Sequence, residues 1–177
     1  MFKWLLRTVA NHYSCADGVK KLNILTYHRV DKTYDKQNPK NINLALFKQQ
    51  ISWLNKYFHV LPLSKALELQ ANNSLPARSV CITVDDGYRD SYDLIFKTLQ
   101  QEGISGAFFI STDGITKGGL WNEEISSAIF QAPEAVKQIE IRGKKFDLTS
   151  LESRVEARYQ LTEYTKYLPL VDRKKAL

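Results

Sequence analysis

Residues 80–84 read "VCITV" and run directly into Asp85, Asp86 and Gly87. A run that is apolar or β-branched at nearly every position suits a parallel strand covered on both faces. Such a strand forces a layered α/β arrangement, because only helices packed on both sides can hide it. It also raises a chemical problem, since the core segment ends in two adjacent like charges.

The pattern around the strand agrees with an α/β fold. "LNILTYH" (22–28) predicts a strand, and the polar stretch 30–43 with its Asn38-Pro39 step predicts a loop. Leu44, Phe47, Ile51, Leu54 and Phe58 recur at spacings of three and four, which predicts an amphipathic helix over 44–57. A short strand near "HVLPL" and a helix capped by Ser64 follow. After the aspartates, Tyr92, Ile95, Phe96 and Leu99 fall on one face of a helix ending at Gly103, and "GAFFIS" (106–111) reads as a second buried strand. Strand, helix and strand make a βαβ unit, whose functional residues belong at the strands' carboxyl ends.

Beyond a glycine-rich loop, "TDGITKGG", the pattern changes. Residues 121–131 read as a helix, 138–148 as a hairpin turning on Gly143, and 150–165 as a charged helix. Three segments result: an amphipathic leader (1–20), an α/β part (21–120) and a helix and hairpin excursion (121–177). The final "LVDRKKAL" looks like a helix scarcely begun, as if the chain stops early.

Composition narrows the function classes. The net charge of +6 comes from scattered basic residues, and no long basic run supports nucleic-acid binding. No stretch approaches the length of apolar sequence that a membrane-spanning helix needs. Arg7 and Asn11 interrupt the apolar patch of the leader, so it is expected to pack on the domain or touch a membrane surface, in a cytoplasmic protein. Cys15 and Cys81 are far apart, and Cys81 lies in the apolar strand, where a cysteine acts as a small hydrophobe.

The aspartate pair itself reads two ways. Gly87 can take a positive φ and turn the chain so that both carboxylates reach one pocket, where a bound cation would relieve their repulsion. One aspartate would then be a metal ligand and the other a base toward water acidified by the ion. Alternatively, Asp85 caps the turn and Asp86 or Asp90 caps the next helix, with no chemistry attached.

The wider sequence bears on that choice. "ITVDDGYRDSYDLIFKTLQQEGISGAFFIS" resembles the first catalytic motif and following βαβ unit of the polysaccharide deacetylase family, the group sharing the NodB homology domain. Upstream, "ILTYHRV" is similar to that family's first strand, and the likeness runs over roughly 22–122, with Val84 where the family usually has Phe. The resemblance implies a partial, deformed (β/α) barrel that removes N-acetyl groups from a carbohydrate with a divalent metal, zinc or similar. By position, Asp85 would be the general base and Asp86 the metal ligand, with His28 and Tyr88 candidates for lining a substrate pocket.

The family completes its metal site with a histidine pair four or five residues apart, downstream of the aspartates. Here His12, His28 and His59 all precede them. The expectation is therefore a truncated amino-terminal part of a deacetylase, inactive alone. Its partners would be an acetylated carbohydrate and a second chain carrying the rest of the barrel. The rival expectation is a non-catalytic remnant, or a subunit that needs a second chain to supply the metal-binding histidines.

Overall fold

A computed structural model describes Val9 and residues 21–169, so the proposed leader and the final "LVDRKKAL" lie essentially outside the described residues. The chain divides after Ser111 into two compact units.

The first unit is built on one strand. Residues Asn23–Tyr27 form β1, Val30–Asp31 form β2 and Ile42–Asn43 form β3, followed by helix α1 (Leu44–Tyr57), β4 (His59–Val60) and α2 (Leu63–Ala71). Strand β5 (Ser79–Val84) comes next, and all six of its residues are buried. A π-helical segment, Ser91–Phe96, runs into α3 (Lys97–Gln101), and β6 (Gly106–Phe108) closes the βαβ unit.

Strand β5 pairs in parallel with β1 along its length, from Asn23 opposite Val80 to Tyr27 opposite Val84. On its other edge, the Val80 carbonyl accepts from the Leu61 amide at 2.9 Å and the Val84 carbonyl from the Phe109 amide at 2.8 Å. Even-numbered residues of one strand direct their backbone groups to the same side. Strands β4 and β6 therefore share that edge, β4 at its start and β6 at its end. The predicted α/β class holds, and among the described residues the parallel sheet is open.

Both faces of β5 are covered, as its composition predicts. On one, Ile82 and Val84 pack with Phe47 and Ile51 of α1 and with Ile95 and Leu99. On the other, Cys81 packs with Ala66 of α2 and Leu75. Burial pushes the Cys81 thiol above its ordinary pKa, in keeping with a small apolar side chain. The ring of Phe47 also meets Tyr27 edge-on, with centroids 5.0 Å apart.

Several local expectations change. Asn43, whose side chain accepts from the Leu46 amide, caps the predicted helix α1. Ser64 is not a cap: it lies inside α2, which begins at Leu63 with Pro62 at the N-cap and no side-chain bond. Tyr92 and Phe96 do not join the core face, because the π-helical winding shifts the register and leaves both rings exposed and stacked at 5.6 Å. Gly103 does end the helix: its amide bonds the Gln100 carbonyl and the Ile104 amide that of Leu99, a Schellman pair. Strand β6 stops at Phe108, short of the predicted 106–111.

The second unit has its own core. The glycine-rich segment read as a loop is instead a short helix, α4 (Thr112–Lys117), and α5 (Trp121–Phe130) follows. Strands β7 (Gln138–Ile141) and β8 (Lys144–Asp147) form the expected hairpin, and α6 (Leu151–Lys166) starts at a Ser150 and Ser153 capping box. Ile125, Ile129, Phe146, Leu148, Ala157 and Leu161 fill its centre. The Arg154 guanidinium donates to the carbonyls of Leu148, Ile129 and Ala132 at 2.8–3.0 Å, tying α5 and the hairpin exit to α6.

Truncating a side chain that β5 rests on should be costly. Phe47→Ala is expected to lower unfolding free energy by about 3–5 kcal/mol through lost transfer energy and a residual cavity. Leu46→Ala, on the exposed side of the same helix, should change it by less than about 1 kcal/mol. Urea titration of the two variants checks this; equal losses would mean that α1 does not pack as described.

Candidate active site

Asp85 is the first residue beyond β5, and its amide donates to the Tyr27 carbonyl at 2.9 Å. The ladder with β1 thus reaches one step past the strand and sets Asp85 beside the end of β1. The next turn is tight: the Gly87 amide bonds the Asp85 carbonyl at 2.9 Å, and the Ser111 amide bonds the Asp86 carbonyl at 3.2 Å.

Gly87 has the expected positive φ, +77°, but Asp86 has one too, at +72°. A non-glycine residue tolerates the left-handed region at some cost, and aspartate does so better than most because of its short polar side chain. Strain of this kind persists where surrounding contacts over-determine the backbone, as functional turns often require. Here the bonds to Tyr27 and Ser111 do so. Glycine at 87 is demanded twice, since a β-carbon there would also sit 2.7 Å from Ile110 Cγ2.

His28, the residue after β1, brings Nε2 to 3.8 Å from Asp85 Oδ2. The separation is longer than a hydrogen bond and within ion-pair reach. Both side chains are partly open to solvent. His28 also lines a groove of about 570 Å³ beside β1, with Tyr27, Gln50, Trp53, Leu54 and Phe58. Asp85, Asp86 and Tyr88 do not line it.

Tyr88 is drawn to Arg29, whose guanidinium carbon lies 4.2 Å from the ring centroid. Asp90 does not cap the following helix, for its side chain makes no cap bond. It accepts from Arg29 Nε at 3.1 Å through Oδ1 and from the Val30 amide at 2.8 Å through Oδ2. Sequence reading missed this pairing; the available signal was a helix-start carboxylate next to a motif with a basic residue at the end of an earlier strand.

A divalent metal would need more than these groups supply. Among the described residues no cluster of three or more histidine, cysteine, aspartate or glutamate side chains could hold an ion. The donor set therefore does not amount to a metal site by itself. No helix among them is long and apolar enough to cross a membrane.

The polysaccharide deacetylase family model matches residues 72–166, more than half of the chain and including β5, both aspartates and the βαβ unit. This chain belongs to the polysaccharide deacetylase family. A curated relative, the polysaccharide deacetylase candidate YxkH of Bacillus subtilis (strain 168), is 30% identical over 92 residues. That alignment covers 51% of this chain and 32% of YxkH, so the chain spans about a third of that relative's length. Among solved structures, the Streptococcus pyogenes deacetylase PplD in complex with acetate is similar at 24% identity and a TM-score of 0.49, over 55% of this chain and 46% of that one. IcaB from Ammonifex degensii is similar at 28% identity and a TM-score of 0.44, over 50% and 37%.

The strained turn can be tested directly. Gly87→Ala should destabilise the chain by roughly 1–3 kcal/mol. Adding Ile110→Ala should recover part of that loss, because it removes the clash and leaves the backbone strain. Thermal melts of both variants provide the check, and an unchanged melt for Gly87→Ala would contradict the described turn.

Proposed function

We propose that this chain supplies the Asp85-bearing, amino-terminal part of a carbohydrate N-deacetylase, arranged as part of a deformed (β/α) barrel. The observation that carries the reading is the position of Asp85: it leaves a fully buried parallel strand, lies within the family match, and stands 3.8 Å from His28 Nε2. Residues at the carboxyl ends of parallel strands are the ones an α/β fold exposes to ligands.

The reaction is hydrolysis of an acetamido group on an acetylated carbohydrate. Water attacks the carbonyl carbon, the carbon–nitrogen bond breaks, and acetate and a free amine leave. Asp85 is the general base that accepts the proton of the attacking water. His28, whose Nε2 lies 3.8 Å from Asp85 Oδ2, is placed to carry a proton to the departing nitrogen. Asp86 is the ligand this part contributes to a divalent metal, zinc or similar, and His28 and Tyr88 border the substrate. Among the described residues no cluster completes such a site; the further ligands come from other polypeptide, and this part is inactive by itself.

Assay of the purified chain on an acetylated aminosugar oligomer, with added zinc, cobalt or nickel, should give no acetate. Co-expression with the remaining segment of a relative should restore release, and Asp85→Asn should then reduce it by about 10²–10⁴-fold. Release by the chain alone that Asp85→Asn abolishes would overturn the proposed inactivity. No release in the complemented complex would sink the enzymatic reading.

A second reading, a subunit completed by another polypeptide strand, is favoured by the outer edge of β1. The bond from Asp85 to Tyr27 and the register direct the odd-numbered backbone groups of β1 toward β5. The N–H and C=O groups of Ile24 and Thr26 therefore face the opposite edge, where no strand pairs among the described residues. An edge of this kind, bordered by an apolar groove that Leu25, Trp53, Leu54 and Phe58 help to line, fits an extended strand from the rest of a deacetylase domain. The Ile24 and Thr26 amides should exchange rapidly in the chain alone and at least about tenfold more slowly after complementation. Unchanged exchange in a complemented complex would remove the partner strand from this edge.

A further inference from the structure

We infer that Asp90 is a positioning residue that sets His28 against Asp85. This rests on the reading of those two side chains as the working pair. His28 is solvent-exposed over 57% of its side chain, so packing does not hold it. Its place depends on the backbone on either side, and two contacts bracket it. Before His28, the Tyr27 carbonyl accepts from the Asp85 amide. After it, Asp90 holds both the Arg29 side chain and the Val30 amide, across 61 and 60 residues of sequence.

The second contact is the more specific. A carboxylate has two oxygens, and here each meets a different donor, one of them charged, so the two bonds fix both the position and the orientation of the segment. The Asp90 side chain is only 15% exposed, which limits competition from water. Val30 is fully buried in the main core of this unit, anchoring the far end. The Tyr88 ring stacks against Arg29 from the aspartate turn, so Asp90 and Tyr88 grip the same guanidinium from one loop. Asp85 and Asp90 thus belong to one short segment that binds the chain on both sides of His28. A carboxylate is required at 90, since an amide offers one acceptor oxygen where two donors wait.

The test follows the His28 imidazole by nitrogen-detected NMR in the full chain. In the unaltered protein, Asp85→Asn should shift the His28 Nε2 resonance. In a folded Asp90→Asn background that response should be lost, and the Val30 amide should exchange at least about tenfold faster. Arg29→Ala, which leaves the carboxylate on the Val30 amide, should weaken the response with less effect on exchange. A full His28 response in either folded variant would overturn the inference. If both variants unfold, the unaltered chain still decides it: a through-bond coupling across the Val30 N–H and the Asp90 carboxylate is expected, and its absence refutes the bracket. A bracket that passes these tests in a complex that releases no acetate would discredit the enzymatic reading alone.

Discussion

Complete burial of β5 is the constraint on which the rest of the first unit depends. A strand with no exposed residue needs a neighbour on each edge and a helix layer on each face. Strands β1, β4 and β6 meet the first demand, and the packing of α1, α2 and α3 meets the second. The carboxylates at 85 and 86 can stand next to such a strand only because the core ends at Val84, one residue before the last bond of the ladder to β1, which the Asp85 amide donates to the Tyr27 carbonyl.

That boundary also shapes the candidate site. The transition from buried strand to open loop occurs within one residue, and the turn responsible contains two successive positive φ values. Its backbone is tied to β1 through Asp85 and to the segment after β6 through Asp86. His28 obtains its place in the same way, from bonds on each side of it, so the pair combines solvent access with a defined separation.

Much of this architecture was legible in the residues. The three- and four-residue spacing that begins at Leu44 marks α1 to within a residue, and the alternating run before Gly143 marks the hairpin, because both depend on local periodicity. Ser64, Tyr92 and Phe96 misled for a related reason. A good capping residue is no cap if the helix begins two positions earlier, and a helical face rotates when six residues wind as a π-helix. The helix over "TDGITKGG" was hidden by glycines that usually signal a loop.

The amino-acid sequence alone determined that a covered parallel strand would end in Asp85 and Asp86 and that Gly87 would turn the chain there. Those outcomes follow from hydrophobicity and backbone sterics acting over a few neighbouring residues. Only the tertiary structure decided that His28 would face Asp85 and that Asp90 would bind Arg29 and Val30 rather than cap a helix. These contacts join positions 57 to 61 residues apart, and no local preference encodes them. They arise because β1 and β5 lie side by side in one register, which brings the ends of two distant segments to the same edge of the sheet.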